Sequence, residues 1–163
     1  MLIQELFSRS VNLYPNKTAI ESKEGELTYF ELEQETNILS NHLISLGVKR
    51  SEKVILLIPK SIELYIAFIS ILKADATYIP LNTKSPIQRN LEVCIQSSAS
   101  FIICNSDTKD NAIYLKQLMA GNRSIKIINV EDKQSSSKLQ PVYQNNNDDL
   151  AYILFTSGST GKR

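Results

Sequence analysis

Apolar residues at Leu2, Ile3, Leu6 and Phe7 fall on one helical face, which predicts a short amphipathic helix at the start of the chain. Tyr14-Pro15-Asn16-Lys17 ends it, since proline lacks the N–H that a continuing helix needs. The pattern then changes: Thr18 to Ser22 and Leu27 to Tyr29 are β-prone pieces on either side of Lys-Glu-Gly25-Glu, the layout of a hairpin. Thr28 and Glu31 have the spacing of a capping box, in which hydroxyl and carboxylate satisfy the free N–H groups of a helix start. That helix is expected to reach about Leu46, with Leu32, Leu39, Leu43 and Leu46 on one face and Gly47 as its stop.

Val54 to Ile58 is an unbroken aliphatic run, suited to a parallel strand covered on both faces. Ile62 to Leu72 is apolar almost all round and too short to span a bilayer, so it reads as a buried helix. Ala76 to Leu81 is strand-like, and Ser85-Pro86 supplies an N-cap and first-position pair for a helix to about Gln96. Phe101 to Cys104 is strand, Ala112 to Ala120 a helix closed by Gly121-Asn122, and Ile125 to Val130 strand again. Glu131 to Asp149 is polar loop, and Leu150 to Phe155 a last strand. The alternating order with short connections predicts a three-layer α/β fold with a mostly parallel sheet flanked by helices.

Composition narrows the possibilities. The 163 residues, 42% apolar and 21% charged, suit one globular domain and exclude a disordered or collagen-like chain. A net charge of +1 gives no broad electrostatic footprint for nucleic acid or anionic lipid. No apolar run approaches the ~18 residues of a membrane span, and the N-terminus lacks a signal-peptide pattern, so a cytoplasmic setting is expected. Cys94 and Cys104 form no C-x-x-C and have no clustered histidines near them, so both are expected to be buried small hydrophobes. No residue set suggests a metal site.

The chemistry concentrates at the end of the chain. Two of the five glycines fall within Thr156-Ser157-Gly158-Ser159-Thr160-Gly161. Such a loop can turn successive amides toward one point, while the hydroxyls add donors and Lys162 adds charge, making a concavity for an anion. A hydrogen bond to a charged oxygen contributes roughly 1.5–3 kcal/mol, so several could hold a triphosphate tail. A Walker A loop would need glycine at Thr156 and a hydroxyl at Arg163, and has neither. A solvated Ser/Gly tail is the competing account of the loop alone.

Three longer stretches bear on that choice. Leu27-Thr28-Tyr29-Phe30-Glu31-Leu32 resembles the first core motif of non-ribosomal peptide synthetase adenylation domains. Leu72-Lys73-Ala74-Asp75-Ala76-Thr77-Tyr78-Ile79-Pro80-Leu81 resembles their second, and Leu150 to Gly161 their third. Glu5-Leu6-Phe7, Leu46-Gly47-Val48 and Pro86-Ile87-Gln88-Arg89 are similar to flanking text, so the resemblance covers essentially the whole chain. The third motif is shared with acyl-CoA synthetases and luciferases; the Tyr-Ile-Pro-Leu ending of the second favours the peptide-synthetase branch.

The resemblance implies the N-terminal portion of the large lobe of an adenylate-forming enzyme. In that family an amino acid carboxylate attacks the α-phosphate of ATP with Mg2+, pyrophosphate leaves, and a phosphopantetheine thiol on a carrier protein takes the acyl group. Thr156, Ser157, Gly158, Ser159, Thr160, Gly161 and Lys162 match the loop that embraces the β- and γ-phosphates. The implied partners are the remainder of the adenylation domain, a carrier protein and a neighbouring condensation domain. Arg163 stands where the third motif expects proline, Asp75 where the second has glycine, and Asn82 where an aspartate follows Pro-Leu. The substrate pocket, the ribose and magnesium carboxylates and the catalytic lysine have no counterpart here. No catalytic residue is therefore assigned, and the fragment alone is expected to be inactive. A non-catalytic phosphate-binding module, a structural docking piece and an acyl-CoA synthetase-like fragment remain alternatives.

Among other residues, His42 is expected on a helix surface, one turn from Ile38 and Leu39. Glu24, Glu26, Glu31, Glu33 and Glu35 read as a solvated helix start. Tyr29, Tyr78 and Tyr152 are assigned to the core.

Overall fold

In the computed structural model, which describes residues 1–121, 124–133 and 137–156, eleven α-helices and β-strands follow one another in the predicted alternation, and a 3-10 turn at Val130–Asp132 follows the last of them. Helix α1 (Ile3–Leu13) precedes the antiparallel hairpin β1 (Thr18–Ser22) and β2 (Gly25–Thr28). Helix α2 (Tyr29–Ser45) begins at Thr28, whose Oγ1 accepts from the Glu31 amide at 3.2 Å. The Glu31 carboxylate accepts from the Thr28 amide at 2.8 Å. These two bonds complete the capping box, and the hydrogen bonds from Thr28 hold the Glu31 carboxyl below its ordinary range. Tyr29 thus opens the helix instead of closing the strand. At the other end Gly47, at φ +99°, adopts the left-handed conformation of a helix stop.

Four parallel strands follow: β3 (Lys53–Leu57), β4 (Thr77–Pro80), β5 (Phe101–Cys104) and β6 (Lys126–Asn129), in the spatial order β4-β3-β5-β6. They are connected by α3 (Ile62–Lys73), α4 (Ile87–Ser97) and α5 (Lys109–Leu118). Alternation within each strand splits the core into two layers. Val54, Leu56, Phe101, Ile103 and Ile128 pack with Leu39, Leu43, Ile66 and Ile71 from α2 and α3. Ile55, Leu57, Ile79 and Ile102 pack on the other face with Val93, Cys94, Ala112 and Leu115 from α4 and α5. Helices therefore cover both faces of a parallel sheet, the arrangement in which strands read as continuous aliphatic runs.

Several expectations need correction. Ser85 does not cap α4; Pro86, at φ −52° and ψ 139°, occupies the cap position, and its carbonyl accepts from the Arg89 amide at 3.0 Å. Helix α5 starts at Lys109, three residues before the expected Ala112. Leu150 to Phe155 joins the sheet through one parallel bridge, Tyr78 with Tyr152, and not as a full strand. His42 is buried, at 9% exposure, because it lies three residues after the fully buried Leu39 and shares its face. Tyr152 is 47% exposed, since alternation turns its neighbours Ile153 and Phe155 inward. The acidic helix start is solvated only in part: Glu33 pairs with Lys73 and Glu35 with Lys133.

Cys94 and Cys104 are fully buried free thiols in the layer under α4 and α5. Burial pushes them up to about 12 and about 11 respectively. Thiolate is the reactive form, so neither should be alkylated by iodoacetamide at pH 8 in the native protein, while both react once denaturant opens the core. Native labelling at the rate of a free thiol, followed by mass spectrometry, would contradict this packing.

Candidate functional site

Open parallel sheets place ligands outside the carboxyl ends of their strands, so that rim is where a site is sought. At the centre of the rim, where connections from β3 and β5 leave toward opposite faces, the space is taken up internally. Thr108 Oγ1 donates to the Leu57 carbonyl at 2.5 Å, and Asn105 Nδ2 donates to Glu63 at 3.0 Å. Ser106 is bonded to the Glu131 carboxylate through both its hydroxyl and its amide, and those bonds lower the Glu131 carboxyl below its usual value. The hydrogen bonds of these side chains are thus made among themselves and with the main chain.

The β4 edge is different, and the chain is led to it by a tethered strap. The Asp75 carboxylate accepts from the amides of Gln144 and Asn145 at 2.7 and 3.2 Å. Asp149 then accepts from the Asn146 amide at 2.8 Å and pairs with Arg50 at 2.8 Å; these contacts, the amide first, depress its carboxyl. Beyond this anchor the segment runs parallel to β4. Thr77 Oγ1 donates to the Leu150 carbonyl at 2.9 Å, the Tyr78 amide to Ala151 at 3.2 Å, and the Ile153 amide to Tyr78 at 3.1 Å. The rings of Tyr78 and Tyr152 stack at 5.5 Å. Burial, with the second phenol nearby, raises the Tyr78 hydroxyl above its ordinary value.

Because the segment is parallel to β4, its end at Thr156 lies at the carboxyl rim. Ile153 and Phe155 pack into the α4/α5 layer, while Leu150, Tyr152 and Leu154 face outward. Arg89, in the first turn of α4, donates from Nη2 to the Thr156 carbonyl at 3.2 Å. Of the expected loop only Thr156 is described; Ser157, Gly158, Ser159, Thr160, Gly161 and Lys162, with Arg163, lie outside the described residues. The Arg89 contact was not apparent from the sequence, where Arg89 is only the last residue of Pro86-Ile87-Gln88-Arg89. A lone arginine one turn into a helix carries no signal for a partner 67 positions away.

Among the described residues, no three His, Cys, Asp or Glu side chains converge as metal ligands. No described helix is long and apolar enough to cross a membrane.

Comparison with known proteins agrees with this architecture. Bacitracin synthase 3 of Bacillus licheniformis is 32% identical over 164 residues, a match covering 98% of this chain and 2% of that protein. The AMPPNP-bound form of the non-ribosomal peptide synthetase FmoA3 superposes with a TM-score of 0.83 at 25% identity, over 96% of this chain and 16% of that one. The inhibitor-bound N-terminal domain of FACL13 from Mycobacterium tuberculosis gives 0.86 at 21% identity, over 99% of this chain and 42% of that one. The chain spans 2% to 14% of the length of the curated relatives it matches. The family described as AMP-binding enzyme matches residues 7–163, so the chain, with its helix-flanked parallel sheet, belongs to the AMP-binding enzymes.

Proposed function

We propose that this chain supplies the N-terminal scaffold and the pyrophosphate-side loop for ATP-dependent activation of an amino acid as an aminoacyl-adenylate. The supporting observation is the delivery of Thr156 to the carboxyl rim of the sheet, beside Arg89. The segment Thr156 to Lys162 therefore starts where parallel sheets present ligands. In the reaction, the substrate carboxylate attacks the α-phosphorus, the bond to the bridging oxygen breaks, and pyrophosphate leaves with the electron pair. Amides, hydroxyls and Lys162 of the loop hold the β- and γ-phosphates, orienting the leaving group and offsetting its charge. Mg2+ accompanies the triphosphate, and no described residue is assigned as its ligand. The acyl group then passes to a phosphopantetheine thiol on a carrier protein.

Catalysis is proposed to need partners. The outward stripe of Leu150, Tyr152 and Leu154, 59%, 47% and 62% exposed, supports packing against the remainder of an adenylation domain. Losing one transition-state donor reduces rate by about 10²–10³, and no substrate-pocket group is assigned to this chain. ATP–pyrophosphate exchange is accordingly expected to be undetectable for these 163 residues alone and to appear when the remainder of an adenylation domain is supplied separately. Exchange by the lone chain would contradict the division of labour. Unchanged amide shifts at Thr156 to Gly161 in millimolar ATP would remove the phosphate role. The third motif is shared with acyl-CoA synthetases, so fatty acids belong beside amino acids in the reconstituted assay.

A further inference from the structure

We infer that the cavity between the first turn of α1 and the strap at Asn145 to Ala151 is a docking site for an extended, uncharged peptide segment, held by the side-chain amides of Gln4 and Asn145. Gln4 shares the buried face of α1 with Val11 and is only 3% exposed, a position at which an amide needs a partner. Its Nε2 has none among the described residues. Asn145 lines the same cavity, and its Oδ1 is likewise buried without a hydrogen bond. One atom is a donor and the other an acceptor, and a peptide unit carries the complement of both in its C=O and N–H. The terminal torsions of Gln and Asn are broad, so either amide turns toward a ligand at small cost.

The rest of the lining fits the same ligand class. The volume is about 290 Å³, far above the roughly 30 Å³ share of one water and near the lower end of small-ligand sites. Leu72, Leu150 and Ala151 give an aliphatic wall, which a hydrocarbon side chain beside the peptide unit would cover. The charged groups are already engaged: Asp149 pairs with Arg50 at 2.8 Å, and the Met1 ammonium donates to Asn147 Oδ1 at 2.8 Å. An ion therefore has less to gain here than a neutral amide. Both walls are fixed in advance, since the Leu2 carbonyl accepts from the Glu5 and Leu6 amides, and the Asn145 amide donates to Asp75 at 3.2 Å. Leu150, 59% exposed, belongs both to this wall and to the outward stripe proposed to pack against the remainder of an adenylation domain. The segment is accordingly placed in that remainder; this assignment rests on the proposed function, whereas the chemistry of the site does not.

The test is a titration of the full chain with N-acetyl-leucine methylamide, followed by NMR through the side-chain NH2 signals of Gln4 and the main-chain amides of Leu150 and Ala151. A saturable shift of all three in the millimolar range is expected, with the amides of α4 and α5 unmoved. The doubly N-methylated analogue keeps the carbonyls and the leucine side chain but has no N–H, and should bind about tenfold more weakly, the scale of one hydrogen bond. Gln4→Met removes the donor at similar volume and should weaken the methylamide by a similar factor. No saturable shift would overturn the inference, as would equal affinity for the N-methylated analogue, which marks apolar packing alone. Slow exchange of the Gln4 Nε2 protons in the free chain would also overturn it, by revealing an internal partner. So would a water contact to Gln4 that persists at saturation. If Gln4→Met does not fold, the two ligands on the unsubstituted chain still decide. Methylamide binding without restored ATP–pyrophosphate exchange by the reconstituted domain upholds the site and fails the proposed function; restored exchange without methylamide binding does the reverse.

Discussion

Lys73→Met is expected to lower folding stability by about 3–5 kcal/mol, the scale for removing one partner of a buried charge pair. Lys73 is fully buried, and its three ammonium donors are all used. They go to Glu33 Oε2 at 2.6 Å, Thr36 Oγ1 at 2.9 Å and Asn37 Oδ1 at 2.7 Å. The ammonium also lies 5.1 Å from the centre of the Phe7 ring. One nitrogen thus joins α1, α2 and α3. Methionine nearly conserves the volume and so avoids a cavity, but it strands three acceptors, one of them a carboxylate only 14% exposed. Adding Glu33→Gln to the methionine variant removes the stranded charge and should recover about 1–2 kcal/mol. Urea unfolding at pH 7 provides the measurement, and a loss under about 1 kcal/mol would show that the network contributes little.

The same site has a pH signature. Burial lowers the Lys73 ammonium below the ordinary 10.5, with the hydrogen bond and charge of Glu33 opposing the shift. Between the lowered value and 10.5 the unfolded chain binds more protons than the folded one, so this group's contribution rises with pH across that window. The stability gap between the unsubstituted chain and Lys73→Met should therefore widen as pH climbs toward 10.5.

Local patterns made most of the framework legible. Phe101 to Cys104 is apolar at every position and is a strand with those bounds, and the Thr28/Glu31 spacing is the capping box it suggests. Each signal is contained within four consecutive residues. What escaped depends on partners far along the chain. A lysine at the end of an apolar helix reads as a solvated C-terminal cation, and nothing local discloses that its acceptors sit 36 to 40 positions earlier. His42, on the face of Leu39, is covered because α2 packs against α1, α3 and the hairpin, and none of those neighbours is disclosed by the residues around it. Tyr152 shows the reverse limit: a motif identifies an aromatic position without indicating which side of the segment it faces. The rim location of the candidate site follows from the parallel order, whereas the Arg89 tether joins residues 67 positions apart and leaves no local signal.

Asp75 departs from the glycine of the resembled motif, and replacing it separates two effects that act in opposite directions. Its φ of +59° lies in the left-handed region, where a side chain carries a strain of about 1–2 kcal/mol that glycine avoids. Against this, its carboxylate holds the amides of Gln144 and Asn145, a pair of charge-assisted bonds in a residue only 7% exposed. Asp75→Ala keeps the strain and loses both bonds, so a destabilisation of about 2–4 kcal/mol is expected. Asp75→Gly loses the bonds but relieves the strain, and should be about 1 kcal/mol milder. Both variants should expose the amides of Gln144 and Asn145 to exchange, and the loosened strap should weaken the pairing of Ala151 and Ile153 with Tyr78. Equal losses for the two variants would show that the backbone conformation carries no strain. A glycine variant as stable as the parent, with both amides still protected, would show that the carboxylate does not tether the strap, and Arg50 with Asp149 would then be the anchor that brings Thr156 to the rim.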